Sequence, residues 1–364
     1  MILYTTIILI TTVILFVNFA AVFGDSSKGA SKTIIKNSPN FIDGKFQNLT
    51  PTKMDFQKGE DYNSNYITNT NIGKRPKKPL PSVKFNKMNF VENDDNSITW
   101  FGHSTILMKL DNNIIIADPV FHNASPFPAI LGPTPFEYEN NISTKDLPNQ
   151  IDIVLITHDH YDHLDYKTIK EIHSRVEKFL VPLGNKAHLI KWGVPDSKVE
   201  EFDWYDNSSY KNIDFTFTPT RHFSGRALKD RFATLWGGWI IKSESNNFYF
   251  SGDGGYSDEF KVIGNKYGPF DIVFIENGAY NQRWENIHLF PEQGVQASLD
   301  ALAKVALPIH WGKFSLSSHS WSEPIEKFAK EAEKSNLNFA TPLIGQTFNI
   351  DGEIPNKHWW ENLQ

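Results

Sequence analysis

Short apolar runs and amphipathic stretches alternate along the chain from about Ser97 onward. Several runs are rich in β-branched or aromatic residues and are bounded by Gly, Asp, Asn or Pro, which predicts strands. The run Ile213–Thr218 alternates apolar and polar residues and therefore predicts a half-buried strand. The predicted strands lie within Ile98–Leu110, Asn113–Val120, Ile151–Thr157, Phe179–Leu183, Ile213–Thr218, Thr234–Lys242, Phe248–Phe250, Asp271–Glu276 and Val305–Ile309.

Apolar residues at helical spacing occupy the segments between these runs. They predict helices over Tyr166–Glu177, Ser257–Lys266, Pro291–Leu302 and Glu323–Lys334, and the last two have a proline in the first turn, Pro291 and Pro324. Strands interleaved with helices indicate an α/β domain, to which we assign residues 96–364. Periodicity alone does not decide its topology.

The beginning of the chain has a different pattern. Ile2–Gly24 carries no charge and is long enough for a bilayer, which takes about 20 apolar residues. Residues 1–24 are therefore a membrane anchor or a signal peptide. Lysines 28, 32 and 36 follow the run and favour a cytoplasmic body, whereas small residues near its end favour cleavage and export. We expect membrane association through the N-terminus and leave the orientation open.

Residues 25–95 are rich in Ser, Asn, Lys, Pro and Thr and lack sustained periodicity. We interpret them as an irregular tether or arm that lies on the domain. A small basic cluster within it is either a solvated surface or a contact for anionic headgroups. The cluster consists of Lys74, Arg75, Lys77 and Lys78.

The amino-acid composition excludes several classes of partner and of functional site. The 364 residues are 40% hydrophobic and 21% charged, as in globular proteins, and the formal net charge is −6. This charge argues against a general nucleic-acid partner. Because the chain has no cysteine, disulfides, iron–sulfur clusters and thiolate zinc sites are excluded, and a soft-metal site must use His and carboxylate.

Such residues concentrate directly after the predicted strand Ile151–Ile156. Three histidines and two aspartates occur there within six residues, in the pattern H-x-H-x-D-H, spanning His158–His163. One sharp turn after a rigid strand can present several of these side chains to a divalent metal, above all zinc. His222, Asp253 and His310 each follow a later predicted strand in the same way, and the set would complete a dinuclear site.

With these residues in place, the chain resembles the metallo-β-lactamase fold hydrolases, and among them N-acylphosphatidylethanolamine-hydrolysing phospholipase D and its bacterial relatives. The resemblance covers roughly Thr99 to Leu316. The matching stretches are Thr99–Thr105, Asp118–Phe121, His158–Asp165, Leu235–Trp239, Gly252–Tyr256, Lys266–Asp271, Gly278–Tyr280, Arg283–Trp284 and Ile309–Gly312. Gly254 stands where the phospholipase usually has Thr, and Glu276-Asn277 replaces a more apolar pair.

The resemblance implies a four-layer αβ/βα sandwich with two Zn²⁺ ions at one edge, between two sheets. One zinc would be held by His158, His160 and His222, and the other by Asp162, His163 and His310, with Asp253 bridging them. Hydrolysis of β-lactams is less expected, since that subgroup commonly uses a Cys ligand, which this chain lacks.

The expected reaction follows from the metals, because two zinc ions can share a hydroxide near neutral pH, and that hydroxide can attack phosphorus. We therefore expect a phosphodiesterase that cleaves N-acylphosphatidylethanolamine-type phospholipids to phosphatidic acid and an N-acylethanolamine. The alternative is a zinc hydrolase of a soluble ester, lactone or cyclic phosphodiester. A non-catalytic metal protein is disfavoured by the complete ligand set, and whether the chain forms a homodimer stays open.

The remaining candidates concern roles around the metals. Asp162 is chiefly a ligand with an assisting proton role, and His288 matches a substrate-side histidine that could donate a proton. Tyr280, Arg283 and Trp284 are candidates for the headgroup pocket, and His103 and Asp118 for orienting ligands. Arg221 and Arg226 could pair with phosphate or with carboxylates, Glu276 could repel a phosphate or hold an amine, and His319 is unassigned.

Overall fold

The computed structural model describes residues 4–6, 11–12, 15–16, 20–52, 73–127 and 130–363. Eleven of the 23 residues of the predicted membrane segment, residues 2–24, and residues 53–72 of the predicted arm lie outside this part of the chain. Within it, no helix combines the length and the apolar character that crossing a bilayer requires.

The elements are numbered here in chain order over the described residues. The strands are β1 Phe41–Ile42, β2 Lys45–Phe46, β3 Ser97–Trp100, β4 Ile106–Leu110, β5 Asn113–Ala117, β6 Ile151–Leu155, β7 Val176–Pro182, β8 Val199–Phe202, β9 Asn207–Tyr210, β10 Ile213–Thr218, β11 Gly238–Lys242, β12 Asn247–Phe250, β13 Phe270–Glu276, β14 Ala303–Ile309 and β15 Thr347–Asn349. The helices are α1 Gly29–Asn37, α2 Lys87–Glu92, α3 Tyr166–Ile172, α4 Lys186–Lys191, α5 Glu259–Tyr267, α6 Pro291–Asp300 and α7 Glu323–Lys334.

Two large mixed sheets form the centre of the domain. The first has the strand order β15-β3-β4-β5-β6-β7-β8, antiparallel from β15 to β5 and parallel from β5 to β8. The second has the order β14-β13-β12-β11-β10-β9, with a parallel part from β12 to β14. Parallel strands align their carboxyl ends. In each sheet, the loops that follow the parallel strands therefore lie at the same edge.

The two sheets face each other across one large apolar core. Buried side chains such as Met108, Ile153, Phe215 and Trp239 interdigitate between them. On the outer face of the first sheet, α3 and α4 cover a second cluster, and α5, α6 and α7 cover a third on the second sheet. The predicted αβ/βα sandwich is therefore confirmed.

The hydrophobic pattern also predicted the bounds of some elements correctly. The strand β10 spans the predicted residues, with Ile213, Phe215 and Phe217 buried and Asp214 exposed, and α7 has the predicted bounds. The prediction of a helix to Glu177 is wrong, since α3 ends at Ile172 and β7 starts four residues later. Pairing of Val176 with Ile151 in the parallel sheet decides this boundary.

The predicted strand Thr234–Lys242 begins only at Gly238. Upstream of it the backbone bonds to the first sheet instead, from Leu235 N to the Leu183 carbonyl at 2.8 Å and from Gly237 N to the Thr157 carbonyl at 3.0 Å. A Cβ at Gly237 would lie 2.2 Å from the Thr218 carbonyl oxygen, so the crossing between the sheets requires glycine there.

The arm, residues 25–95, contains α1, the β1–β2 hairpin and α2 within its described part. Ile35 and Phe46 are buried in the core between the sheets, and Phe85 and Phe90 pack on the outer face of the first sheet. Arg75 of the basic cluster donates to the carbonyls of residues 134 and 135. The arm thus contributes apolar side chains to the cores of the α/β domain.

Candidate metal centre

The candidate ligands lie where strands of both sheets end. The ligand loop, residues 157–163, follows β6 of the first sheet. His222 follows β10, Asp253 follows β12 and His310 follows β14 in the second. The folded chain thus brings together residues that are separated by up to about 150 positions in the sequence.

Asp253 lies at the middle of the cluster. Its Oδ2 is 3.1 Å from His163 Nε2 and 3.0 Å from His310 Nε2. The same oxygen is 3.9 Å from His158 Nε2 and 4.0 Å from His222 Nε2. One carboxylate therefore faces both groups of imidazoles, as the bridging role inferred from the sequence requires.

The other candidates complete the two groups. His160 Nδ1 lies 2.9 Å from His158 Nε2 and 3.2 Å from His222 Nε2. In the second group, Asp162 Oδ2 is 3.3 Å from His310 Nε2. These separations bring potential ligand atoms of each group close enough to share one cation.

The donor atoms fit divalent cations. Asp253 Oδ1 is buried and accepts no hydrogen bond from the described residues, and the close contact of His163 Nε2 with Asp253 Oδ2 lacks hydrogen-bond geometry. Buried polar atoms are normally satisfied, so such atoms at the centre of a cluster indicate a missing partner. Imidazole nitrogens and carboxylate oxygens suit zinc, iron and related ions, so the donor set fits a metal without selecting one.

Without a cation, the cluster retains protons on two histidines. Burial opposes charge on His163, but Asp253, Asp162 and Asp118 together raise its pKa well above the ordinary range. Burial also opposes charge on His310, and the same two carboxylates, Asp253 and Asp162, raise its pKa to about 10. These protons occupy nitrogen atoms that a metal would need, so metal binding must release them.

The other three candidate histidine ligands have lowered pKa values. Burial, reinforced by neighbouring imidazoles, holds the pKa of His158 and of His222 well below the usual value. Burial likewise lowers the pKa of His160. These rings are neutral at pH 7 and present lone pairs, which is the form that binds metal.

Asp118 binds the Nδ1 side of the His163 ring. Its Oδ2 accepts from His163 Nδ1 at 2.7 Å and from Thr157 Oγ1 at 2.6 Å, while Oδ1 accepts from Thr157 N at 2.9 Å. The arrangement fixes the imidazole so that its Nε2 faces Asp253. Asp118 itself has a φ of +41°, a left-handed conformation that Asp tolerates better than most residues.

His103 contacts the second group of ligands. Its Nε2 lies 3.0 Å from Asp162 Oδ2, and burial lowers its pKa to about 3. His103 and His310 both have left-handed backbones, with φ of +54° and +68°. The His310 amide donates to the His103 carbonyl at 3.0 Å, so this local strain is shared between two neighbouring segments at the site.

His222 is held by groups that sequence reasoning missed. Its Nδ1 donates to the Ile287 carbonyl at 2.8 Å, which directs Nε2 toward the cluster. Asn48 of the arm accepts from His222 N at 3.0 Å and donates to the His222 carbonyl at 2.8 Å. No pattern around Asn48 signals this role, because the contact joins residues 174 positions apart.

Glu276 orients His288 and corrects an expectation from the sequence. The carboxylate is fully buried, and its Oε1 accepts from His288 Nδ1 at 2.6 Å. Its Oε2 accepts from Leu289 N at 3.0 Å and from Gly254 N at 3.4 Å. Glu276 is thus engaged within the protein and does not face a headgroup amine or a phosphate. The two departures from the phospholipase pattern, Gly254 and Glu276, touch each other.

The predicted headgroup residues lie on the loop after β13. Tyr280 is buried, its hydroxyl donates to Glu323 at 2.8 Å, and its ring stacks on His319 at 4.5 Å between centroids. Arg283 and Trp284 are half-buried in a 3₁₀ turn, where the Trp284 indole donates to the Ala279 carbonyl at 2.7 Å. The Tyr280 hydroxyl is therefore not directed at the cluster.

Neither candidate phosphate-binding arginine faces the cluster. Arg221 donates to Thr52 Oγ1 at 3.0 Å and to the carbonyl of residue 51, which holds the arm. Arg226 is buried and donates to carbonyls of the ligand loop and of residue 22. The guanidinium of Arg221 therefore binds a hydroxyl and a carbonyl of the arm, and that of Arg226 binds carbonyls, in place of the phosphate or carboxylate partners expected from the sequence.

Two opposed sheets with a His/Asp cluster between their strand ends define a metallohydrolase-type centre. A beta-lactamase superfamily domain matches residues 113–311, which is more than half of the chain. The chain therefore belongs to the metallo-β-lactamase superfamily and is a metal-dependent hydrolase.

Individual relatives agree with this assignment. An uncharacterized protein of Mycobacterium tuberculosis is 36% identical over 90% of this chain and 89% of its own length. N-acyl-phosphatidylethanolamine-hydrolyzing phospholipase D 1 of Caenorhabditis elegans is 35% identical over 68% of this chain and 74% of its own length.

A solved structure, the diiron β-hydroxylase CmlA of Streptomyces venezuelae, shares the fold at 19% identity. Its TM-score is 0.54, over 71% of this chain and 54% of that protein. Because the fold occurs with a diiron centre in that protein, the fold alone does not select zinc.

Proposed function

We propose that the protein is a dinuclear zinc phosphodiesterase acting on N-acylphosphatidylethanolamine-type phospholipids. Water would add to phosphorus, the bond between phosphorus and the ethanolamine oxygen would break, and phosphatidic acid and an N-acylethanolamine would leave. The observation that carries the proposal is the position of Asp253 Oδ2 between two groups of candidate ligands.

In this proposal His158, His160 and His222 would hold one cation, Asp162, His163 and His310 would hold the other, and Asp253 would serve both. Bound divalent cations supply Lewis acidity, which lets water ionise near neutral pH and neutralises charge on phosphoryl oxygens. The protein contributes the orientation of each ligand, through carboxylates and carbonyls behind the imidazoles.

His288 is the proposed proton donor to the leaving group. Its ring lies 5.1 Å from that of His222 and 5.4 Å from that of His310, measured between centroids. Because Glu276 binds Nδ1, the other nitrogen, Nε2, is the one available to a substrate. Asp162 is 16% exposed and could assist by accepting a hydrogen bond from attacking water.

The choice of a lipid substrate is supported by the phospholipase relative and by the apolar N-terminal segment. The relative aligns with 68% of this chain, and its name specifies the N-acylated phospholipid. An enzyme held at a membrane by residues 1–24 would meet such a substrate in the bilayer. Exported and cytoplasmic orientations are both compatible with this proposal, and a homodimer is left to measurement.

The proposal is tested with zinc-loaded protein and vesicles containing N-acylphosphatidylethanolamine. We expect release of phosphatidic acid that a chelator abolishes and zinc restores, with close to two zinc ions per chain by elemental analysis. Asp253→Ala should lose metal from both positions, since its carboxylate faces both groups. His319→Ala is the matched control and should retain its metal, because its imidazole Nδ1 is directed at the Ser320 carbonyl.

The competing soluble-ester function predicts a different result. Rapid hydrolysis of a small diester or lactone, together with no release of phosphatidic acid from vesicles, would contradict the lipid substrate and leave the metal centre intact. Absence of bound metal after expression in zinc-supplemented medium would contradict the metal centre itself.

A further inference from the structure

The segment before the arm is attached to the catalytic domain by specific contacts. We call residues 20–25, which include the first residue of the arm, the strap. The Trp192 indole donates to the Ala21 carbonyl at 2.7 Å. A Cβ at Gly24, where φ is +75°, would lie 1.9 Å from His188 Nδ1, so only glycine fits against that imidazole. The strap is therefore built into the surface of the domain.

Arg226 connects the strap to the ligand loop. Its Nε and Nη2 donate to the Val22 carbonyl at 3.2 and 3.0 Å. Its Nη1 donates to the carbonyls of Asp159 and Leu164 at 2.6 and 2.7 Å, and its guanidinium lies 4.2 Å from the Tyr161 ring centroid. The strap and the ligand loop are thus both bound to one buried guanidinium group.

A cavity of about 620 Å³ lies between the strap, the ligand loop and residues 122–127. This volume falls within the range of about 300–1,000 Å³ that is typical of small-molecule sites. Much of its wall is apolar, and it includes Phe16, Ala20, Val22, Pro126, Phe127 and Tyr161.

The side chains around the cavity are largely apolar and in part exposed. Phe16 and Phe127 face each other at 6.0 Å between ring centroids, and Phe127 is 43% exposed. Ile130 and Leu131, a few residues further along, are 90% and 71% exposed. Apolar surface of this kind marks a contact with lipid or with another apolar partner. Part of the wall comes from the uncharged segment Ile2–Gly24, which favours lipid.

We propose that this cavity binds one fatty acyl chain of the phospholipid substrate. The inference rests on the proposed function, since it assigns a place to one chain of that substrate. Tyr161, which lines the cavity, stands in the ligand loop between His160 and Asp162. Because His160 and Asp162 flank Tyr161 in the sequence, a chain bound here would contact the loop that carries the candidate ligands, and the strap forms a wall that a soluble-ester hydrolase would not need.

The test measures binding of N-acylethanolamines with acyl chains of 6, 8 and 10 carbons to the zinc-loaded full chain in a fixed detergent. As products they are not hydrolysed, so calorimetry reports binding alone. Full burial of a methylene corresponds to about a fourfold gain in affinity. We expect a gain of this order per added methylene in the unmodified chain.

Ala20→Trp should fill the cavity and abolish the gain, whereas Val262→Trp, at a 45% exposed position on α5, should keep it. Phe127→Ala removes volume instead of adding it and should also weaken the gain, which guards against a folding defect in one variant. Thermal unfolding checks that each variant is folded. Each affinity is calculated from the free ligand concentration, after the micelle-bound fraction of each ligand has been measured in the same detergent without protein.

A chain-length gain that persists in Ala20→Trp, or an unmodified chain without any gain, would overturn the acyl site. The proposed function is judged separately by phosphatidic acid release. Release without a chain-length gain refutes the cavity assignment alone, and a gain without release refutes the proposed reaction alone.

Discussion

Asp118→Asn tests whether a carboxylate behind His163 sets the strength of the proposed metal site. The substitution keeps the shape of the side chain, and Asn tolerates the left-handed φ of +41° as Asp does. It removes the negative charge that accepts from His163 Nδ1 at 2.7 Å in a fully buried position. The perturbation therefore acts on one charge and one hydrogen bond.

Loss of a carboxylate that supports a metal-binding histidine costs about 10–100-fold in metal affinity. This corresponds to about 1.4–2.7 kcal/mol of binding free energy. Because Asn also places an amide group among the donors of Thr157, we expect a further loss of about 1–3 kcal/mol in the unfolding free energy.

The assay is competition for zinc between the protein and a chromophoric chelator, with unfolding followed by circular dichroism. Asp214→Asn is the matched control, because Asp214 is exposed on β10 and remote from the ligand set. Zinc affinity of Asp118→Asn within about twofold of the unmodified chain would refute the reasoning, since 10-fold is the smallest loss expected.

Other predictions follow from single contacts. Glu276→Gln should lower kcat about tenfold with metal content unchanged, because a neutral amide orients His288 less strongly than a carboxylate; loss of metal instead would show that Glu276 supports the metal site. In metal-free protein, the raised pKa of His310 contributes stability that is complete below its ordinary value of 6.5 and is lost as the pH rises toward about 10. The melting temperature of the metal-free protein should therefore decrease as the pH is raised from 7 to 10, and saturating zinc should weaken this pH dependence. A melting temperature that increases over this pH range would contradict the ion pairs. Gly24→Ala should lower the unfolding midpoint, because its Cβ would overlap the His188 ring, and proteolysis near residue 24 should accelerate; unchanged protease resistance would argue against the docked strap.

Local sequence was sufficient for much of the fold. The alternation in Ile213–Thr218 and the apolar stripe of Glu323–Lys334 each gave an element with the observed bounds. The ligand loop was also recognisable, because its donor residues are adjacent in sequence and follow a buried strand. In each case the information lies within one strand, helix or turn, where covalent geometry and side-chain period act directly.

Ends of elements depended on neighbours distant in sequence. The helix that begins at Tyr166 stops at Ile172 because Val176 pairs with Ile151 in the first sheet. Likewise, β11 begins only at Gly238, because the backbone before it forms hydrogen bonds with the first sheet. Hydrophobic residues predict burial, but they do not state which partner will supply the hydrogen bonds.

The tertiary structure alone assigned partners to three residues around the site. Asn48 holds His222, Glu276 holds His288, and Arg226 joins the strap to the ligand loop. None of these residues stands in a periodic pattern that reveals its partner. Their roles depend on burial, which makes an unpaired polar group costly and so selects the partner that the folded chain brings within reach.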